Sequence, residues 1–135
     1  MSRLIKSVVI ALAVSFSGVS VYAQKGTFDG KRIKETKEWK VEGKKKRIDH
    51  VTKYNEKGKK VEEIEYSSLG EQKERITYEY DANGKCVKEF RYDEFNKLDK
   101  TITIEYHSNG KKKSETVFDT KGKQKYVKEF EYILQ

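Results

Sequence analysis

Tyr54-Asn55-Glu56-Lys57-Gly58-Lys59 returns 26 residues later as Tyr80-Asp81-Ala82-Asn83-Gly84-Lys85, and again as Tyr106-His107-Ser108-Asn109-Gly110-Lys111. Tyr132 keeps the same interval. A second series with the same period lies between these segments: Tyr66-Ser67-Ser68-Leu69-Gly70-Glu71, Tyr92-Asp93-Glu94-Phe95-Asn96-Lys97 and Phe118-Asp119-Thr120-Lys121-Gly122-Lys123. Self-similarity at a fixed period defines an architecture of stacked units. The shared pattern is an aromatic, usually a turn-opening polar residue, two variable residues, Gly or Asn, and usually a basic residue.

The motif is a turn. Asp, Asn or Ser at its first polar position caps a type I turn through its side chain. Gly, or Asn96 in its place, supplies the left-handed residue that follows. Together they make the usual three-residue hairpin loop. Hairpins alternately 12 and 14 residues apart therefore predict an all-β, antiparallel meander. Continued without interruption, this geometry sets Tyr80 opposite Cys86 and Tyr78 opposite Lys88, and even numbers face even numbers throughout. The expected even face carries Tyr54, Tyr66, Tyr78, Tyr80, Phe90, Tyr92, Tyr106, Phe118, Phe130 and Tyr132, the candidate binding face. The odd face is mostly charged, and the same register opposes Glu63 to Arg75, Glu65 to Lys73, Arg91 to Asp99 and Glu105 to Lys113. It also sets Arg75 against Arg91, a like-charge pair with no evident reason.

Upstream the period fades. Trp39 lies one residue short of the position the second series predicts, and Gly43 is likewise one short. A one-residue slip near Lys44 to Lys46, such as a bulge, restores the phase. Phe28-Asp29-Gly30-Lys31 reads as a worn first turn. Eight strands are expected, at 31–40, 44–54, 59–66, 71–80, 85–92, 97–106, 111–118 and 123–132. They form a single strongly twisted, coiled sheet, with a closed up-and-down barrel as the alternative.

The first 23 residues differ in kind. Arg3 and Lys6 precede the apolar run Ser7 to Phe16, and Gly18-Val19-Ser20-Val21-Tyr22-Ala23 offers small residues for cleavage. This is the secretory pattern, and the run falls short of the ~20 apolar residues that span a bilayer. Cleavage near Ala23 is expected, leaving one β-repeat domain at 24–135 in the periplasm or outside the cell, without a membrane span. Removing Arg3 and Lys6 lowers the formal net charge from +8 to +6. High charge and a mean hydropathy of −0.94 lean towards disorder on composition alone; the strand periodicity overrules them. The single cysteine, Cys86, excludes an intrachain disulfide.

Eight strands with one aromatic face present an apolar area on the order of 1,000 Å², more than soluble monomers usually leave open. The even-face lysines, among them Lys60, Lys88 and Lys112, lay their stems along the rings. Tyr80-Asp81-Ala82-Asn83-Gly84-Lys85 and its siblings resemble the tyrosine–aspartate (YD) repeats of bacterial secreted shells and the hairpins of MORN-like repeats, over about residues 48–132. The resemblance implies stacked hairpins and a scaffold or protein-binding role, with no catalytic residues to carry over.

Other chemistry is poorly represented. His50, His107 and Cys86 have no metal-ligand spacing, and nucleophile elbows and phosphate-cradling glycine loops are missing. No cofactor is expected, and the carboxylate rows read as a solvated, ion-paired face. Lys44, Lys45, Lys46 and Arg47, with Lys111, Lys112 and Lys113, form a candidate basic patch. It suits an anionic partner, or more plainly protects strand edges. The expectation is a non-enzymatic exported module that binds an unknown protein partner or itself. The alternative is an anionic polysaccharide held by a Tyr/Lys surface; nucleic acid is disfavoured.

Overall fold

The computed structural model describes residues 26–135, and the expected signal segment lies outside them. Within this range the chain is all strand and turn, with no helix long and apolar enough to cross a membrane. A two-stranded ribbon, β1 (Thr27–Phe28) and β2 (Lys31–Arg32), comes first. Eight strands follow: β3 (Glu35–Glu42), β4 (Lys45–Tyr54), β5 (Lys60–Tyr66), β6 (Gln72–Tyr80), β7 (Cys86–Tyr92), β8 (Leu98–Tyr106), β9 (Lys112–Phe118) and β10 (Gln124–Glu129). They pair in chain order as one antiparallel meander, with β3 and β10 at opposite edges, so the sheet is open and no barrel closes.

The turns follow the sequence motif. In the β6–β7 loop the Asp81 N–H donates to the Lys85 carbonyl, and the Gly84 N–H donates to the Asp81 carbonyl. Asp81 Oδ1 accepts from the N–H groups of Asn83 and Lys85, both at 2.9 Å. Gly84 has φ 77°, and Asn96 takes the same left-handed state at φ 61° in the β7–β8 loop.

The upstream turns are of other kinds, which is why the period fades there. Asp29 and Gly30 both have positive φ, the type I′ signature of a two-residue hairpin, so this turn is not a worn copy of the motif. The strand expected at 31–40 is interrupted at Ile33 and Lys34, between β2 and β3. Glu42 opposes Lys45 across Gly43 and Lys44, again a two-residue turn. The slip expected near Lys44 to Lys46 sits instead at Asp49, the extra residue where Glu38 pairs with His50 and Trp39 with Ile48.

The expected even-to-even register is corrected in every hairpin of the repeat. Tyr80 does oppose Cys86, but the next pairs are Glu79 with Lys88 and Tyr78 with Glu89, leaving Val87 as an extra residue. The same one-residue bulge falls at Val61, Lys73, Asp99, Lys113 and Lys125. A bulge needs no glycine of its own and leaves no mark in the alternation of residue types. Glu63 consequently opposes Ile76, Glu65 opposes Glu74, Arg91 opposes Lys100 and Glu105 opposes Ser114. The puzzling Arg75–Arg91 pair disappears, because Arg75 opposes Tyr92 and Arg91 opposes Ile76.

Burial is shared between two faces of one layer. Partners directly across an antiparallel pair point to the same side. Following the register strand to strand places Thr52, Glu63, Ile76, Tyr78, Glu89, Ile102, Ile104 and Val117 on one side, here called the ionic face. Val51, Ile64, Thr77, Phe90, Thr101, Thr103 and Thr116 lie on the other, the aromatic face. The densest packing is on the ionic face, where Ile102, Ile104 and Val117 are buried against Cys86 and Tyr106. Most other strand residues in the middle of the sheet are half-buried.

Candidate binding faces

The bulges divide the ten aromatics expected on one face. Tyr54, Tyr78, Tyr80 and Tyr106 stand on the ionic face, while Tyr66, Phe90, Tyr92 and Phe118 stand on the aromatic face. Phe130 and Tyr132 follow β10 and reach the ionic side, where Lys112 Nζ lies 5.8 Å from the Phe130 ring centroid. The signal that could have revealed this was present: the two interleaved 26-residue series are the two faces.

The ionic face is held by its own partners. Tyr80, Tyr106 and Tyr132 donate their hydroxyls to the carbonyls of Lys60, Cys86 and Lys112, at 2.6, 2.6 and 2.8 Å. Each tyrosine thereby ties its segment to the preceding, neighbouring strand of the sheet. Burial pushes the Tyr80 hydroxyl up to about 12. Three glutamates at the 26-residue interval, Glu63, Glu89 and Glu115, have side chains only 16%, 17% and 14% exposed.

Each of these carboxylates has a cation. Lys60 lies 2.6 Å from Glu63, and Lys112 lies 2.6 Å from Glu115. Cys86 occupies the equivalent lysine position in the middle repeat, and there Arg91 takes over, 3.2 Å from Glu89 and 3.4 Å from Glu74. Burial alone would raise the Glu63 carboxyl, but hydrogen bonds from Lys60 and Tyr78 outweigh it and hold the group below its ordinary range. Burial and the bond to Glu63 push the Tyr78 hydroxyl far up. His50 Nε2 completes the cluster at 3.6 Å from Glu63.

The aromatic face is more open. Arg75 stacks on the Tyr92 ring with its guanidinium carbon 3.9 Å from the centroid, and its Nε donates to Asn96 Oδ1 at 2.7 Å. Lys88 Nζ lies 5.7 Å from the Phe90 centroid. Lys53 pairs with Glu62 at 3.2 Å. Two shallow depressions mark this side. One, of ≈ 390 Å³, is lined by Glu35, Lys37, Trp39, Ile48, Val51, Lys53, Ile64 and Tyr66. The other, of ≈ 420 Å³, includes Lys88, Phe90, Leu98, Thr101, Thr103 and Phe118. Trp39, missed as a site residue because its strand falls out of phase, is 48% exposed.

The candidate basic patch is likewise divided. Lys44 to Arg47 lie at and after the β3–β4 turn, which shares one end of the sheet with the β5–β6 and β7–β8 loops. Lys111 to Lys113 follow the β8–β9 loop at the opposite end, five strands away. Lys46 rests 4.9 Å from the Trp39 centroid, Arg47 pairs with Asp49, and Lys112 and Lys113 pair with Glu115 and Glu105. Among the described residues no group of three His, Cys, Asp or Glu side chains could hold a metal ion.

No protein-family model matches the chain, and no curated protein matches it. Among solved structures, the crystal structure of the GtfA/B complex bound to UDP and GlcNAc is similar at 16% identity, with a TM-score of 0.32. The match covers 86% of this chain and 24% of that one, so the chain spans about a quarter of its length. So loose a likeness has no functional meaning for this chain.

Proposed function

We propose that this chain is a non-enzymatic, exported β-repeat module that binds another protein, or a second copy of itself, through the aromatic face of its sheet. The observation that carries the reading is the grouping of Trp39, Tyr66, Arg75, Phe90, Tyr92 and Phe118 on one side of a single layer. Trp, Tyr and Arg dominate the binding energy of protein interfaces, because they combine large apolar area with directional polar groups. On the ionic face Tyr80, Tyr106 and Tyr132 give their hydroxyls to backbone carbonyls and Tyr78 gives its to Glu63, which suits a structural role. Export rests on the charged head, apolar run and small-residue exit of the first 23 residues. The likeness to YD and MORN-like hairpins agrees with a scaffold role.

The second reading is an anionic polysaccharide laid along the same face, where Lys53, Arg75 and Lys88 stand among the rings. Capture from the cell envelope with tagged protein as bait, washed at low and high salt, separates the two. A protein that survives high salt and is lost with Trp39→Ala or Tyr92→Ala, but kept with Tyr106→Phe, is the expected result. Release of a glycan by salt shifts the assignment to the second reading. Capture indifferent to Trp39 and Tyr92 overturns both.

A further inference from the structure

We propose that the end of the sheet formed by the β3–β4, β5–β6, β7–β8 and β9–β10 turns docks on an anionic lipid surface, inserting Leu69 and Phe95 between cationic turns. The proposal goes beyond the reading above: it uses the turn tips and leaves both faces of the sheet free for a protein partner.

The repeat puts one variable residue at the tip of each motif turn, immediately before the left-handed Gly or Asn. At the opposite end of the sheet these tips are Lys57, Asn83 and Asn109, all polar. At this end they are Leu69, Phe95 and Lys121, and Lys44 stands in the two-residue β3–β4 turn. The row therefore reads cation, apolar, apolar, cation along the strand order. Leu69 is 83% exposed and Phe95 74%. Their loops lie two strands apart, about 10 Å. Two apolar side chains so separated make no contiguous patch of the kind that marks a protein interface. A fluid lipid surface accepts each of them where it falls.

The backbone of both loops suits a dry environment. Ser67 Oγ accepts from the N–H groups of Leu69 and Glu71 at 3.2 and 3.3 Å, and Asp93 Oδ1 accepts from those of Phe95 and Lys97 at 2.9 Å. The Gly70 and Asn96 N–H groups donate to the carbonyls of Ser67 and Asp93. The donors that would enter the interface with Leu69 and Phe95 are thus already paired, and their desolvation costs little. Charge selects the kind of lipid. Lys40, Lys45 and Arg47 line, with Glu42 and Ser68, a depression of ≈ 180 Å³ beside the Leu69 loop, a place for the phosphate of a headgroup. Lys97, Lys121 and Lys123 are exposed in the β7–β8 and β9–β10 loops. The acids of these loops are Glu71, Asp93, Glu94 and Asp119. Asp93 and Asp119 are engaged in capping their own turns, which leaves Glu71 and Glu94 against the lysines.

Co-sedimentation of the exported protein with vesicles tests this, comparing phosphatidylcholine alone with phosphatidylcholine containing phosphatidylglycerol. Binding to the anionic vesicles only is expected, and salt should weaken it. Leu69→Ser and Phe95→Ser, both at exposed positions, should each weaken it roughly tenfold. Lys45→Gln and Lys121→Gln should each weaken it roughly fivefold, whereas Asn83→Ser at the opposite end should leave it unchanged. In a Trp39→Phe background, the emission of Phe95→Trp should shift to the blue on anionic vesicles, and that of Asn83→Trp should not. No binding, or equal binding to neutral vesicles, overturns the proposal. So does binding that follows the lysines but ignores Leu69 and Phe95, which would point to an anionic glycan. Protein capture by the two serine variants is expected to persist, which separates this end of the sheet from the aromatic face.

Discussion

At the scale of single residues, Glu63 shows how a sheet face tolerates charge. Its carboxyl is mostly buried, yet Lys60, Tyr78 and His50 surround it, so ionisation is favoured in the folded state. A group whose folded value is depressed contributes stability above its unfolded value, near 4.3 for glutamate, and loses it as pH falls through the lower folded value. Glu63→Gln is therefore expected to cost roughly 1 kcal/mol at neutral pH, and less as the wild type is acidified from about pH 5 to about pH 3. Urea unfolding of both proteins at several pH values measures the gap. A gap that stays constant would mean that the ion pair contributes nothing specific to charge.

The turn residues were legible from sequence because their chemistry is local. Asp81 accepts from two backbone N–H groups, and Gly84 takes a backbone state that side chains disfavour. The partners of Glu63 were not legible, because they depend on register. Lys60 and Tyr78 come from different strands, and only the bulge at Val61 and its counterpart at Lys73 bring them to one side.

At the scale of elements, the strand count of the main sheet, its antiparallel order and six of its turns follow from the repeat. The bulges do not. Each lets an odd residue oppose an even one without turning the remaining side chains over, and each adds local twist. Deleting Val87 should therefore leave Glu79 opposite Lys88 and keep β7's side chains on their present faces, at a cost of about 1 kcal/mol. Deleting Glu89, a paired residue two positions on, should turn the side chains beyond it to the wrong side and cost more than about 3 kcal/mol. Denaturant unfolding of the two deletions compares them. Equal losses would contradict the bulge.

For the whole molecule, the expectation of one aromatic face and one charged face gives way to two mixed faces. The aromatic that precedes each turn alternates sides from hairpin to hairpin, so the first series builds the ionic face and the second the aromatic face. The two basic runs, grouped in the sequence reading as one candidate patch, lie at opposite ends because successive hairpins alternate ends. What a meander does with a residue depends on strand parity and strand order, and a linear sequence displays neither directly.

The division of side chains between two faces rests on the bulged register, and a through-space proton measurement across β6 and β7 tests it most directly. Non-hydrogen-bonded antiparallel partners bring their Cα protons closest together. The register described here predicts a strong Hα–Hα contact between Tyr78 and Glu89. A contact between Tyr78 and Lys88 instead would restore the even-to-even ladder, gather the aromatics on one face, and contradict the assignment of Trp39, Arg75 and Tyr92 as a separate binding surface.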